Sequence, residues 1–298
     1  MRDGQARGGL AGATLAFVAL LVLAGCASAP RAARKLPTPK LRPPAIARAG
    51  VLRVAVDAHY PPFASFEDGR LVGIDGDVAE ALAAQLGLTA EFVDVPADGI
   101  GAALREKRAD VALGGVPITE AALSEVTVAT SYLSDAPVLF SRGTSVTVDD
   151  LASIPRIAVQ KQSPSYWLLR GKVGEERLLV VPSLREAFAA ASAGKADAVA
   201  GDAIVGGYIR REFPQLLYAG QLADATPLAV TSGKDSSQIE PAVREAMDEL
   251  AATGVLDAIR GKWLGDLPAL WMPSAVEDSQ TVGAPPTPVA DTSPAVAP

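Results

Sequence analysis

The sequence is poor in the residues that most often carry out chemistry. Its 298 residues include one cysteine, Cys26, and one histidine, His59. A lone thiol excludes an internal disulfide and any cysteine-cluster metal site. A lone histidine leaves a Ser-His-Asp triad a single base to draw on, and no Gly-x-Ser-x-Gly elbow is present. No His/Cys/carboxylate spacing marks a metal, and no glycine-rich phosphate motif follows a strand-like run, so no cofactor is expected. The central part of the chain has no basic cluster, and a formal net charge of −7 argues against nucleic acid as a partner. Beyond the N-terminus no apolar run is long enough to cross a membrane, which points to a soluble, exported body.

What is present begins with a targeting segment. Arg2 and Arg7 precede an apolar stretch from Leu10 to Leu23, then Leu23-Ala24-Gly25-Cys26. A charged start, a short apolar core and small residues read as a signal peptide over 1–25. The Leu-Ala-Gly-Cys run resembles a bacterial lipobox, which implies lipidation of Cys26 and a membrane anchor there. Residues 26–50 carry Arg31, Arg34, Lys35, Lys40, Arg42 and Arg48, five prolines and no acid. Such a segment reads as a solvated, semi-extended tether whose charge suits anionic headgroups. Residues 269–298, rich in proline and alanine, read as a disordered tail.

Between these ends strand-like and helix-like segments alternate, which predicts an α/β fold. Ile74, Val78, Leu82 and Leu86 fall at helical spacing, with Asp75 placed to cap the start and Gly87 to end it. Ser183 and Glu186 form a capping-box pattern before an alanine-rich helix. Ile239, Val243, Met247 and Leu250 make an apolar helical stripe, and the three tryptophans read as packing residues. "RADVALGG" (108–115) and "KADAVAGD" (195–202) repeat one scheme. Each puts a cation, Ala and Asp before a short apolar strand that ends in glycine. The repetition predicts two similar lobes, with Gly114-Gly115 and Gly201-Asp202 as loops facing a cleft.

The stretch "VDAHYPPF" (56–63) sets an acid, the histidine, two aromatics and two prolines at the end of an apolar strand, which is where open α/β sheets bind ligands. "VLRVAVDAHYPPFASFEDGRLVGIDGDVAEALAAQLG", "KRADVALGGVPIT", "RIAVQKQSPSY" and "VREAMDELAATGVLDAIRGKWLG" follow one another in order from Val51 to Gly265. They resemble bacterial extracellular solute-binding proteins of family 3, the polar amino-acid class. The resemblance implies a two-lobed, type II periplasmic-binding-protein-like fold. Lobe 1 would hold 51–140 plus 222–268 and lobe 2 would hold 141–221, joined by two crossover strands. It implies an ABC permease as partner, a small polar solute as ligand, a monomer, and exposure to the periplasm or cell exterior.

By the same resemblance Asp57 sits at the first strand end, and Tyr60 or Phe63 stacks on the solute. Gly114, Gly115, Pro117 and Thr119 match the loop that binds a ligand carboxylate. Ser163 lies near the loop that closes from lobe 2, and Asp202 matches the acid that pairs with an α-ammonium group. The family's carboxylate-clamping arginine, three residues past the threonine, is here Ala122. Either the ligand is an amine or cation without a free carboxylate, or Lys161 supplies the missing charge. Duller readings stand beside these. Asp57 and Asp202 suit caps, Tyr60 and Phe63 suit packing, and Lys161 and His59 suit solvent. Two alternatives share the fold: a sensor that closes on its solute to signal to a membrane receptor, and an enzyme resembling cyclohexadienyl and arogenate dehydratases.

Overall fold

The computed structural model describes residues 37–114, 124, 126–143 and 147–272. The first lobe starts with β1 (Val51–Val56), a small three-stranded sheet of β2 (His59–Tyr60), β3 (Ala64–Glu67) and β4 (Arg70–Val72), and helix α1 (Ile74–Gln85). β5 (Thr89–Asp94), α2 (Ile100–Arg105), β6 (Val111–Ala112) and β7 (Val126–Asp135) follow. The second lobe runs through β8 (Pro137–Arg142), β9 (Ile157–Gln160), α3 (Pro164–Val173), β10 (Leu178–Val181), α4 (Leu184–Ser192), β11 (Ala198–Asp202), α5 (Ala203–Ile209) and β12 (Leu216–Gln221). The chain then returns to the first lobe with β13 (Thr226–Gly233), α6 (Ile239–Ala252) and α7 (Val255–Leu264).

The two main sheets have the same plan. One orders its strands β5-β1-β6-β13-β7, the other β10-β9-β11-β8-β12. In each, three parallel strands are followed by antiparallel ones, so β1 matches β9 and β6 matches β11. The sequence repetition has a physical cause here. Asp110 donates its amide to the Arg53 carbonyl and its carboxylate accepts the Arg53 amide at 2.9 Å, while Asp197 does the same with Arg156. Each acid therefore clasps the entry of a central strand to its neighbour. Asp110 also pairs with the Arg53 guanidinium at 2.8 Å.

Helices cover both faces of each sheet because the strands are apolar on both sides. In β1, Leu52, Val54 and Val56 face the core under α1 and α6, while Ala55 faces α2. The stripe Ile239, Val243, Met247 and Leu250 is buried as its spacing predicts. Lobe 2 puts Ala187 and Phe188 of α4 on one face and Tyr166 and Leu169 of α3 on the other. Trp263 is half-buried, whereas Trp167 and Trp271 are exposed, against the packing expectation.

Three boundaries differ from the sequence reading. First, the crossover falls between Asp135 and Pro137, so 137–140 belong to the second sheet. Second, the segment expected as a free tether folds onto lobe 1 by residue 40. The Lys40 amide donates to Leu86 O, Ala47 N donates to Asp110 Oδ1, and Leu41 and Ile46 are buried in the core with Leu82 and Leu86. Two isolated apolar residues among prolines look solvated in sequence but have a hydrophobic groove to fill. Ile46→Ala is therefore expected to cost about 2–5 kcal/mol in urea unfolding, as for other fully buried isoleucines; a cost near zero would return the segment to solvent. Third, the expected tail is docked at its start. Trp271 N donates to Gln221 Oε1 and Gln221 Nε2 to Trp271 O, at 2.9 and 2.8 Å. Leu267 packs against Gly207 of α5, and Asp266 pairs with Arg210.

Asp75 is not a cap. Gly73 occupies the N-cap position, and Asp75 lies inside α1, buried, accepting the Tyr132 hydroxyl of β7 at 2.5 Å. Burial lifts its carboxyl to about 7, although the Tyr132 bond pulls the other way. The folded protein thus holds a proton there that the unfolded chain, titrating near 4, gives up. The associated stability is full below about pH 4 and is lost as pH rises through about 7, an effect on the order of a few kcal/mol. Asp75→Asn keeps the acceptor for Tyr132 without the ionisation. Its advantage in melting temperature over the parent should be smallest near pH 4, grow up to about pH 7 and stay level to pH 8; parallel profiles would refute the assignment.

Candidate functional site

The strand ends of both lobes open toward the crossover. On lobe 1, β1 ends at Val56 and β6 at Ala112. Leu113 N donates to Ala55 O, and a Cβ on Gly114 would lie 3.5 Å from the Asp57 amide. Asp57 and Gly114 are thus side by side. Gly114 has φ +131°, a conformation that favours glycine.

Asp57 also orders its own loop. Its carboxylate accepts the His59 amide at 3.1 Å and the Ala97 amide at 3.3 Å. Asp94 accepts the Ala58 amide at 3.1 Å. The exposed His59 ring has Nδ1 3.7 Å from Asp57 and 3.9 Å from Asp94. Sequence spacing gave no hint of this His/Asp/Asp group, whose donor atoms lie within 4.8 Å of one another and could take a metal ion. The amides already bound by both carboxylates account for their orientation without one.

Tyr60 and Phe63 divide the aromatic work. Their rings stack with centroids 5.2 Å apart and planes 12° from parallel. Phe63 is 3% exposed and Tyr60 is 47% exposed. Phe63 is therefore core that backs Tyr60, and only Tyr60 presents a face. The expectation that Phe63 stacks on a solute is corrected by this burial.

On lobe 2, Asp202 ends β11 and stands at the N-cap position of α5, yet makes no side-chain capping bond. The carboxylate that fills that cap comes from elsewhere. Asp135, the last residue of β7, accepts the Ile204 amide at 3.1 Å and the Ala136 amide at 2.9 Å through Oδ1. Burial raises the Asp202 carboxyl above its usual range. Burial, and then the nearby negative Asp202, lift Asp135 to about 6, with the amides of Ile204, Ala136 and Ala203 opposing. Burial raises the Tyr60 phenol, and Asp202 and Asp135 push it further the same way. Asp202 and Asp135, of lobe 2 and the crossover, are thus the carboxylates whose charge reaches Tyr60 of lobe 1. Among the described residues neither carboxylate has a basic ion-pair partner.

The remaining predicted residues lie around this group or beyond it. Val159 sits opposite Ala200, so Lys161 and Asp202 emerge at the same edge of the lobe 2 sheet. Lys161 is exposed and its amide donates to Val181 O. Ser163 caps α3: its hydroxyl accepts the Tyr166 amide at 3.1 Å and donates to Gln160 O at 2.9 Å. Gly201 owes its size to packing, since a Cβ there would lie 2.4 Å from the Leu184 side chain. Gly115, Pro117, Thr119, Ala122 and Cys26 lie outside the described residues. Sequence reasoning missed Asp135. The available signal was an acid closing an otherwise strand-like run just before Ala136-Pro137, at the lobe crossover.

Residues 52–266 match the model of bacterial extracellular solute-binding proteins, family 3. The chain belongs to this family. Among curated relatives, the putative ABC transporter arginine-binding protein 2 of Escherichia coli is 24% identical over 72% of this chain and 91% of its own length. The L-cystine-binding protein TcyJ of Escherichia coli is 27% identical over 72% of this chain and 83% of its own. Among solved structures, an ancestral cationic amino acid solute-binding protein superposes with a TM-score of 0.64 at 26% identity, covering 72% of this chain and 96% of that one. An ancestral cyclohexadienyl dehydratase superposes with a TM-score of 0.58 at 23% identity, over 72% and 92% of the two chains, and shares the fold. The family member described here is an extracytoplasmic solute-binding protein, of the kind that captures a small polar solute for an ABC importer. No helix among its described residues is long and apolar enough to cross a membrane.

Proposed function

We propose that this protein captures a cationic amino acid or an amine, that Asp202 holds the positive group, and that Tyr60 lies against it as the lobes close. The observation that carries the reading is the Asp202 carboxylate at the end of β11, which stands at the N-cap position of α5 yet makes no capping bond and has no basic ion-pair partner among the described residues. A charge held in that way is costly until a cation arrives. The relatives named for arginine binding and the ancestral cationic amino acid binder point to the same solute class. The sequence 114–124, Gly-Gly-Val-Pro-Ile-Thr-Glu-Ala-Ala-Leu-Ser, has no basic residue, so a ligand carboxylate gains little from that loop. Asp57 and Gly114 line the lobe 1 side, and Lys161 and Ser163 stand at the lobe 2 rim. The protein acts as a monomer, lipidated at Cys26, on a tether that ends where residue 40 joins lobe 1.

The same electrostatics oppose catalysis of the dehydratase kind. A dianionic substrate would meet Asp135 and Asp202, against which the described residues set only the exposed Lys161 at the rim, so the protein is read as a binder. A thermal-shift panel on the purified protein tests both points. Arginine, lysine, ornithine and simple amines should raise the melting temperature by several degrees when present at about 100 times Kd. Acidic amino acids and prephenate should not. Stabilisation by glutamate alone, or turnover of prephenate, would sink the reading.

A further inference from the structure

The segment that follows α7 reaches past lobe 1. We propose that residues 265–272 form a strap across the hinge, which holds the two lobes in the arrangement described and sets how readily they close on a solute. The family match ends at residue 266, so most of the strap lies beyond what the family model spans. The proposal rests on the two-lobed capture that the family shares, and not on which solute is captured.

Contacts on both sides of the hinge support it first. On the lobe 1 side the Arg260 guanidinium of α7 donates to Leu267 O. On the lobe 2 side Asp266 pairs with Arg210, a largely buried arginine just past α5, and the buried Leu267 packs over Gly207 of α5. The strap then meets both crossovers. Trp271 exchanges two hydrogen bonds with the Gln221 side chain at the end of β12, and the same Gln221 amide donates to Ala223 O at 2.7 Å. The Ser134 hydroxyl of β7 donates to Met272 Sδ at 3.4 Å. One short stretch thus touches lobe 1, lobe 2 and each of the two strands on which the lobes pivot.

The cleft gives the sign. Tyr60 and Lys161, at the strand ends of the two lobes, are exposed, so the arrangement that the strap fastens is an open one. Its partners, Gly207, Arg210, Gln221 and Ser134, are separate from the residues gathered around Asp57, Gly114 and Asp202, and the strap therefore acts on the swing without touching a solute. When lobe 2 swings, α5 moves against α7, and the contacts of Asp266 with Arg210 and of Leu267 with Gly207 must slide or break. Arg210 then loses its ion partner, and a largely buried cation without one is costly. The strap thus makes closing harder, and solute binding must supply the difference.

A reversible cross-link tests it. A Cβ built on Gly207 lies 3.8 Å from the Leu267 Cβ, within the reach of a disulfide. Gly207→Cys with Leu267→Cys, in a Cys26→Ser background, therefore fastens the strap to α5 when oxidised and frees it when reduced. In calorimetric titration the oxidised protein should bind L-arginine at least ~10-fold more weakly than the same protein in dithiothreitol. Gln221→Ala removes both bonds to Trp271, and should bind L-arginine ~3-fold or more tightly than the parent. Spin labels at the exposed positions Glu80→Cys on α1 and Ala189→Cys on α4, again with Cys26→Ser, report the distance between the lobes with no solute present. Adding Gln221→Ala should broaden that distance distribution. A merely structural strap would lower the melting temperatures of the variants and leave both the distances and the effect of oxidation on affinity flat. Equal affinity in the oxidised and reduced forms, or an empty-protein distribution untouched by Gln221→Ala, would overturn the proposal. A parent that binds no arginine would instead overturn the cation reading above, and the distance distributions would still decide on the strap.

Discussion

Asp202→Asn is expected to weaken binding of any cationic solute by at least ~100-fold, the scale set by leaving a buried charge without its partner. Asn is nearly isosteric, and Asp202 makes no capping bond through its side chain, so the fold has little to lose. Desolvation already holds the carboxyl above its usual range, and replacing it with a neutral amide removes that burden. The variant should therefore melt at the same temperature as the parent or slightly higher without ligand, and lose the ligand-induced shift. Titration calorimetry and thermal shift read the two halves separately. A variant that still binds arginine or a simple amine within threefold of the parent would move the anchor elsewhere, and Asp57 would be next to examine. A variant that unfolds would show that Asp202 acts structurally, a role its absent capping bond gives no reason to expect.

The second large effect is on the loop that presents Tyr60. Gly73 has φ +134°, and a Cβ there would lie 2.2 Å from the Phe63 carbonyl oxygen and 2.9 Å from the Ala64 Cα. These are backbone atoms, so no side-chain rotation relieves the overlap. The close approach lets α1 begin directly under the proline loop, with Ile74 N donating to Pro62 O and Asp75 N to Phe63 O, both at 2.9 Å. Gly73→Ala must separate helix from loop, costing about 3 kcal/mol or more from strain and two weakened hydrogen bonds. Affinity should fall as well, because Phe63, which supports the Tyr60 ring, moves with that backbone. Chemical denaturation at neutral pH gives the stability loss, and titration of the surviving folded fraction gives the affinity. A loss under about 1 kcal/mol would mean that the loop shifts freely, and that Tyr60 is not held in place by α1.

Family membership was legible because the resemblance runs in order along most of the chain, and the two-lobed plan because strand-like and helix-like spacing repeats. Apolar residues at helical spacing gave α1 and α6, and the repeated cation-Ala-Asp scheme gave two equivalent strand entries, whose clasp at Arg53 and Arg156 the structure explains. The strand ends at Asp57 and Asp202 were also readable, since each closes an apolar run. Local signals failed where a residue's partner is far away in sequence. Asp75 looked like a cap because only the fold supplies Tyr132, 57 residues on. Leu41 and Ile46 looked solvated because the groove they fill is built from later helices. Phe63 and Tyr60 are alike in sequence, and only packing decides that one is buried beneath while the other stays exposed.

Composition and pattern by themselves determined that the chain alternates strands and helices, that it lacks the groups for triad or cysteine-metal chemistry, and that the loop expected to clamp a carboxylate has no basic residue. Only the tertiary structure decided that Asp135 joins Asp202. Their pairing depends on β7 crossing into β8 beside the start of α5, a contact between residues 67 positions apart, and charges couple through space and burial rather than along the chain.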